Sequence, residues 1–221
     1  DNFKDYGRKL YYEVALNYQR SFNDHNVTAL AVFNRKITED IDTSDTNRQK
    51  MKFASYEEDW VGRVTYNWKE RYLAEVNAAY TGSEKFAPGK RFGFFPSFSV
   101  GWRVTEEPFM KKIQEKWLTN LKLRYSYGEV GSDKGAPRFN YIQLFESGGN
   151  VTFGKNQNVT YGPLYTEGKL AYQNATWETA IKQNLGIEMT ILRKLKLNLD
   201  LFDERRTGIL MERNTVAPWM G

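Results

Sequence analysis

The side chains in this sequence that could do acid–base chemistry are carboxylates. Glu57, Glu58 and Asp59 stand in a row, and two carboxylates at suitable separation serve as acid and base in glycoside hydrolysis. Three adjacent acids at the start of a strand pattern also read as a solvated charge run, and no nucleophile–base pair accompanies them. The single histidine, His25, falls in the short stretch FNDHN and reads as a solvated turn residue. A lone histidine cannot build a His-based metal site. Cysteine is absent, which removes disulfides and thiolate ligands. DIDTSDTN sets Asp40, Asp42 and Asp45 at a spacing faintly like a calcium loop, but it lacks the glycine and the closing glutamate that such a loop needs. GEVGSDKG lacks the Lys-Ser/Thr ending of a phosphate-binding loop, so its glycines suit turns. These residues call for no catalytic site, metal or cofactor, and the chain reads as a non-enzyme.

The elements that would hold such residues are strands. LYYEVALNYQ puts Leu10, Tyr12, Val14, Leu16 and Tyr18 on one side and Glu13, Asn17 and Gln19 on the other. The same period of two recurs in WVGRVTYNW, YLAEVNAAYT, LTNLKLRYSYG, KQNLGIEMTIL and LKLNLDLF. VTALAVFNR alternates less cleanly. SFSVGWRV follows a loop that starts at residue 82, and TEEPFMKKIQEKW reads as a loop with a short helical turn. Residues 129 to about 175 read as the longest irregular stretch. Eight strands result, most of them about 9 to 11 residues long, the length of a tilted strand that crosses a bilayer. The connections alternate between short and long, as in outer-membrane barrels.

Two settings fit the alternation. The apolar faces, which include Phe98, Val100, Trp102, Leu121, Leu123, Tyr125, Leu185, Ile187, Leu197 and Leu199, pack on a second sheet in a soluble protein or meet lipid in a barrel. The polar faces, which include Glu13, Arg63, Glu75, Arg103, Lys122, Arg124 and Glu188, suit water or a wet lumen. The soluble alternative is an aromatic-rich carbohydrate-binding β-sheet domain, or a secreted glycoside hydrolase using Glu57 or Glu58. Tyr12, Tyr18, Tyr72, Tyr80 and Trp68 fit aromatic girdles at the two edges of a membrane. The formal charge of +5 is spread along the whole chain, not gathered into the patch that nucleic acid would require.

The stretch GRVTYNWKERYLAEVNAAYTGSEKFAPGKRFGFFPSFSVGWRV, followed by LKLRYSYGEVG and WETAIKQNLGIEM, resembles the barrel of SusC/RagA-type TonB-dependent outer-membrane transporters of the Bacteroidota. The resemblance implies an all-β fold, an antiparallel transmembrane β-barrel of which about eight strands of a probable 22 are present. Residues 1–221 are then part of the receptor β-barrel, and no plug domain or TonB-contacting segment is recognised in them. It further implies import of large nutrients, oligosaccharides first and otherwise oligopeptides. The implied partners are a SusD-like lipoprotein lid, TonB acting through a missing N-terminal region, the glycan or peptide cargo, and the lipid bilayer. Sugars stack on aromatic faces, so the aromatics assigned to loops, Phe92, Phe94, Phe95, Tyr161, Tyr165 and Trp219, are candidate cargo contacts, against the plainer reading that they pack the loops together or meet the lid.

Overall fold

A computed structural model of the chain describes residues 6–41, 53–114, 117–154 and 159–211. Eight strands form one sheet: β1 (Tyr6–Phe22), β2 (His25–Ile41), β3 (Ser55–Trp68), β4 (Tyr72–Ser83), β5 (Phe92–Arg103), β6 (Leu118–Ser132), β9 (Glu178–Ile191) and β10 (Leu195–Thr207). Each pairs antiparallel with its neighbour in that order. β7 (Phe145–Phe153) and β8 (Val159–Glu167) form a separate two-stranded hairpin. Two 3₁₀ turns, Val104–Glu106 and Pro108–Met110, and the short helix α1 (Lys111–Gln114) join β5 to β6. Among the described residues β1 and β10 each have one neighbour, so they are the two edges of the sheet.

Register fixes the faces, because residues paired across an antiparallel ladder point the same way. One row runs Phe22, His25, Trp68, Tyr72, Trp102 and Leu123 across β1 to β6. A second runs Val14, Phe33, Trp60, Tyr80 and Phe94 across β1 to β5. The two rows lie eight residues apart on every strand, or about 27 Å along the chain at the usual rise. With barrel tilt this becomes about 20 Å, close to the apolar band of an outer-membrane barrel. Between the rows stand Ala29, Ala31, Val64, Ala74, Val76, Ala78, Phe98 and Val100. No second layer covers this face among the described residues: Val76 is 57% exposed and Leu199 51%. The soluble sandwich needs these side chains sealed, and they are open.

The lower row corrects the turn assignment of His25, which opens β2. Its ring stacks on Phe22 and Trp68 with centroids 5.3 and 6.1 Å away, and Nδ1 meets the Tyr66 hydroxyl at 2.7 Å. Tyr18 stands opposite Ala29 in the middle of the band, away from either row. The strands also outrun their sequence reading, reaching 17 residues in β1 and β2. Beyond the second row both faces carry polar residues, so hydrogen-bonded pairing continues where the alternation of hydropathy stops.

At the other end of β5 the chain turns under the apolar face. Thr105 is fully buried and its hydroxyl accepts the Leu121 amide at 3.2 Å. Glu107 accepts from the Tyr72 hydroxyl at 2.6 Å and the Trp102 indole at 3.2 Å, and Arg71 stands 3.8 Å away. These two donors, the tyrosine first, and the guanidinium hold the Glu107 carboxyl below its ordinary value. A depressed folded value means that the latch is fully formed above the ordinary pKa of 4.5 and is lost as the pH falls through the folded value. Amide-exchange protection across residues 104–114, corrected for intrinsic rates, is therefore expected to hold at neutral pH and decline only in acid below that ordinary value. The Glu107→Gln variant should show no such transition.

Candidate functional site

The side of the sheet opposite the apolar face is a wall of paired charges. Arg63 Nη2 reaches Glu75 Oε2 at 2.7 Å, and Asn77 donates to the other oxygen of Glu75 at 2.9 Å. Lys122 and Arg124 share Glu188 at 3.6 and 3.3 Å, and Arg124 also reaches Asp200 on β10. Gly186 is the cross-strand partner of Arg124. A β-carbon there would run into Cγ of Arg124 at 2.6 Å, so the glycine lets the arginine lie across β9 between its two carboxylates. Arg103 pairs with Glu70 in the β3–β4 turn at 3.0 Å, and Glu13 accepts from Tyr11. By register Glu13, Arg63, Glu75, Arg103, Lys122, Arg124 and Glu188 share this face, and the ten apolar residues from Phe98 to Leu199 share the other.

The two glutamates near the start of β3 do not converge. Glu57 bonds Lys36 at 3.1 Å, whereas Glu58, on the opposite face, accepts the Trp60 indole at 3.1 Å. Neighbours on a strand point apart, which separates Glu58 from Glu57 and Asp59, and Glu57 on the shared face is already paired with Lys36.

Above the second aromatic row the loops form a small core. Phe86 is 1% exposed and Trp177 9%, and Ala136, Ala175, Phe95 and Leu210 pack with them. The Trp177 indole donates to the Arg91 carbonyl at 3.2 Å, and Arg91 Nε donates to the Phe86 carbonyl at 3.2 Å. Ser83 and Lys85 hold Asp133 at 2.7 and 3.2 Å, and Arg138 holds Glu84 at 2.7 Å. The loops 84–91 and 133–142 and the segment before β9 are thereby bound into one unit. Gly131 serves it by close approach: a β-carbon there would collide with the Phe95 ring.

This arrangement corrects the loop assignment of three aromatics. Phe92, Phe94 and Phe95 lie in β5. Phe92 stacks on Tyr80 at 4.9 Å, and Phe94 pairs with Tyr80 across the ladder. Phe95 points to the opposite side and meets Trp177 edge-on at 5.4 Å. The Arg-Phe-Gly-Phe-Phe-Pro sequence hides a strand, because proline and glycine are turn formers and aromatics on both faces erase the alternation.

The long irregular stretch is also corrected. It contains β7 and β8, whose pairing slips near Gly149, and those irregularities mask the period of two. Phe145, Phe153, Tyr161 and Tyr165 line one side of this hairpin, and all four are more than half exposed. Phe153 and Tyr161 touch edge to face at 5.9 Å. Nothing in the sequence singles out Phe145 and Phe153; only the pairing of β7 with β8 sets them beside Tyr161 and Tyr165. Trp219, Asp42 and Asp45 lie outside the described residues.

The family profile described as TonB dependent receptor-like, beta-barrel matches residues 2–221. TonB-dependent receptor P39 of Formosa agariphila is 26% identical over 90% of this chain, and the match takes in 20% of that receptor. TonB-dependent receptor SusC of Bacteroides thetaiotaomicron is 29% identical over 60% of this chain and 13% of its own. The chain thus spans about a fifth, or less, of the length of these curated relatives. The solved RagAB peptide transporter superposes on 97% of this chain and 26% of its own with a TM-score of 0.69 and 15% identity, a likeness of fold. With the profile spanning nearly every residue and one sheet carrying an apolar and an ion-paired face, the chain belongs to the TonB-dependent receptor-like β-barrel family and is of the SusC/RagA type.

Proposed function

We propose that this chain forms part of the wall of an outer-membrane importer for large nutrients. Oligosaccharides are the first candidate cargo and oligopeptides the second, with a SusD-like lipoprotein as lid and TonB as the source of work. The observation that carries this reading is the two-sidedness of the sheet. An exposed apolar band with an aromatic row at each border suits lipid. The opposite wall of paired charges suits a water-filled passage, where water screens each pair. Closing that passage requires further strands against β1 and β10, as in a larger barrel with a plugged lumen. Phe92 and Phe94 stand on the lipid side and Phe95 is packed away, so cargo contact is proposed for Tyr161 and Tyr165 on the exposed hairpin.

Uptake by cells that express the full-length receptor tests the reading. Labelled oligosaccharides and oligopeptides of matched size are offered with and without an uncoupler of the inner membrane. Energy-dependent uptake of one class, weakened by the Tyr161→Ala/Tyr165→Ala double variant, is expected. Uptake indifferent to both the receptor and the uncoupler overturns the assignment.

A further inference from the structure

The β5–β6 connection is the exception at the short-turn end, where the β1–β2, β3–β4 and β9–β10 turns take two or three residues. It spans residues 104–117 and carries Phe109, Ile113 and Trp117, exposed at 66%, 37% and 51%. The Trp117 carbonyl accepts the Leu192 amide at 2.7 Å, which sets the β9–β10 turn beside it with Leu192 62% exposed. Lys111, Lys112, Arg193 and Lys194 cluster on these two turns, and none of the four has a carboxylate within ion-pair reach among the described residues. Large apolar side chains beside unpaired cations are the composition of a segment that lies in a membrane interface.

Its place in the fold fits that composition. Glu107 bonds Tyr72 and Trp102, both members of the lower aromatic row on the apolar face. The turn is thereby fixed to the outside of the wall, at the depth where such a row meets lipid headgroups. We propose that this rim is a foot seated in the phospholipid headgroup layer on the periplasmic side. Phe109, Ile113 and Trp117 enter below the headgroups, and the four cations meet lipid phosphates. The proposal rests on the barrel reading, in which short turns face the periplasm.

The test uses the full-length receptor in a cysteine-free background, reconstituted in nanodiscs with nitroxide-labelled lipids. A fluorophore is placed at Ile113→Cys, Val76→Cys or Glu146→Cys. Ile113 should be quenched most by a headgroup nitroxide, Val76 by a mid-chain nitroxide, and Glu146 on the hairpin by neither. Adding Lys111→Glu/Lys112→Glu should reduce quenching at Ile113 more in phosphatidylglycerol than in phosphatidylcholine, since each cation near an anionic surface is worth about fivefold in occupancy. A quenched Val76 with an unquenched Ile113 leaves the barrel standing and overturns the foot: the rim then sits in water or against protein. An unquenched Val76 overturns the barrel reading and the foot with it.

Discussion

Replacing Val76 by arginine is expected to destabilise the membrane-embedded receptor by about 2–4 kcal/mol, the cost of a cation near the midplane of a lipid-facing barrel wall. Val76 lies midway between Tyr72 and Tyr80, pairs with Val64 and Phe98, and is 57% exposed. The only carboxylate in its row among the described residues is Asp203 on β10, four strands away and paired with Arg205. The matched control is Ser99→Arg. Ser99 pairs with Glu75 on the opposite face, where a new cation meets a carboxylate and water. That change should stay within about 0.5 kcal/mol, as for surface substitutions away from special features. Unfolding of the full-length receptor from lipid vesicles by urea, followed by the heat-dependent gel shift, separates the two. A lower midpoint for both variants would mean that the faces are not distinguished by their medium. Tolerance of both would mean that the apolar face does not meet hydrocarbon.

The faces were readable in the sequence because they are written with a period of two. Shifting a strand by one residue would exchange Val76 with Glu75, or Trp102 with Arg103, so register and medium are specified together. Six of the eight large-sheet strands have that clean pattern. β2 is less clean because Leu30 and Val32 stand on the polar side. Val32 belongs there to an apolar row with Ala15, Val61, Ala79 and Phe95, which leads up to the loop core. A pattern that assumes one greasy face cannot register a second, local one. β5 is hidden for the same reason, with Phe94 facing out and Phe95 facing in.

The site was readable only where pairing is local in the sheet. The side of the sheet on which Arg63, Glu75, Arg124 and Glu188 stand follows from alternation alone. Which charge meets which does not, since Arg124 reaches Asp200 on β10 only because β9 carries a glycine between them. The loop core is further from the sequence still. Phe86 and Arg91 come from the β4–β5 connection, Gly131 from the end of β6 and Trp177 from the segment before β9, and spacing along the chain says nothing of their meeting. Aromatics in loops suit either cargo contact or loop packing, and the sequence does not choose between them. Phe95 of β5 and Trp177 take the second use: their rings tie the loops to the sheet.

Trp177→Ala is expected to have the largest effect of any single change in the loop core. Truncating a buried tryptophan costs about 3–5 kcal/mol, from lost contacts and the cavity left behind. Here the ring touches Phe86 and Phe95, with centroids at 5.2 and 5.4 Å, and its N–H satisfies the Arg91 carbonyl. The cost should fall on the loops and not on the sheet, because the large-sheet strands are held by their own continuous ladders. Amide exchange of the full-length receptor in lipid reads this directly. Residues 84–91 and 133–142 should lose protection, while β4 and β6 keep theirs. Trp177→Phe keeps most of the ring but drops the indole donor, and should lose only about 1 kcal/mol, the net worth of one hydrogen bond. Equal loss in strands and loops would show that the cluster is part of the global core. Unchanged loops would show that Ser83, Lys85 and Arg138 hold them without the rings. If the loops alone are released, the β7–β8 hairpin that continues from them loses its footing, and cargo capture through Tyr161 and Tyr165 should fall while the barrel remains folded.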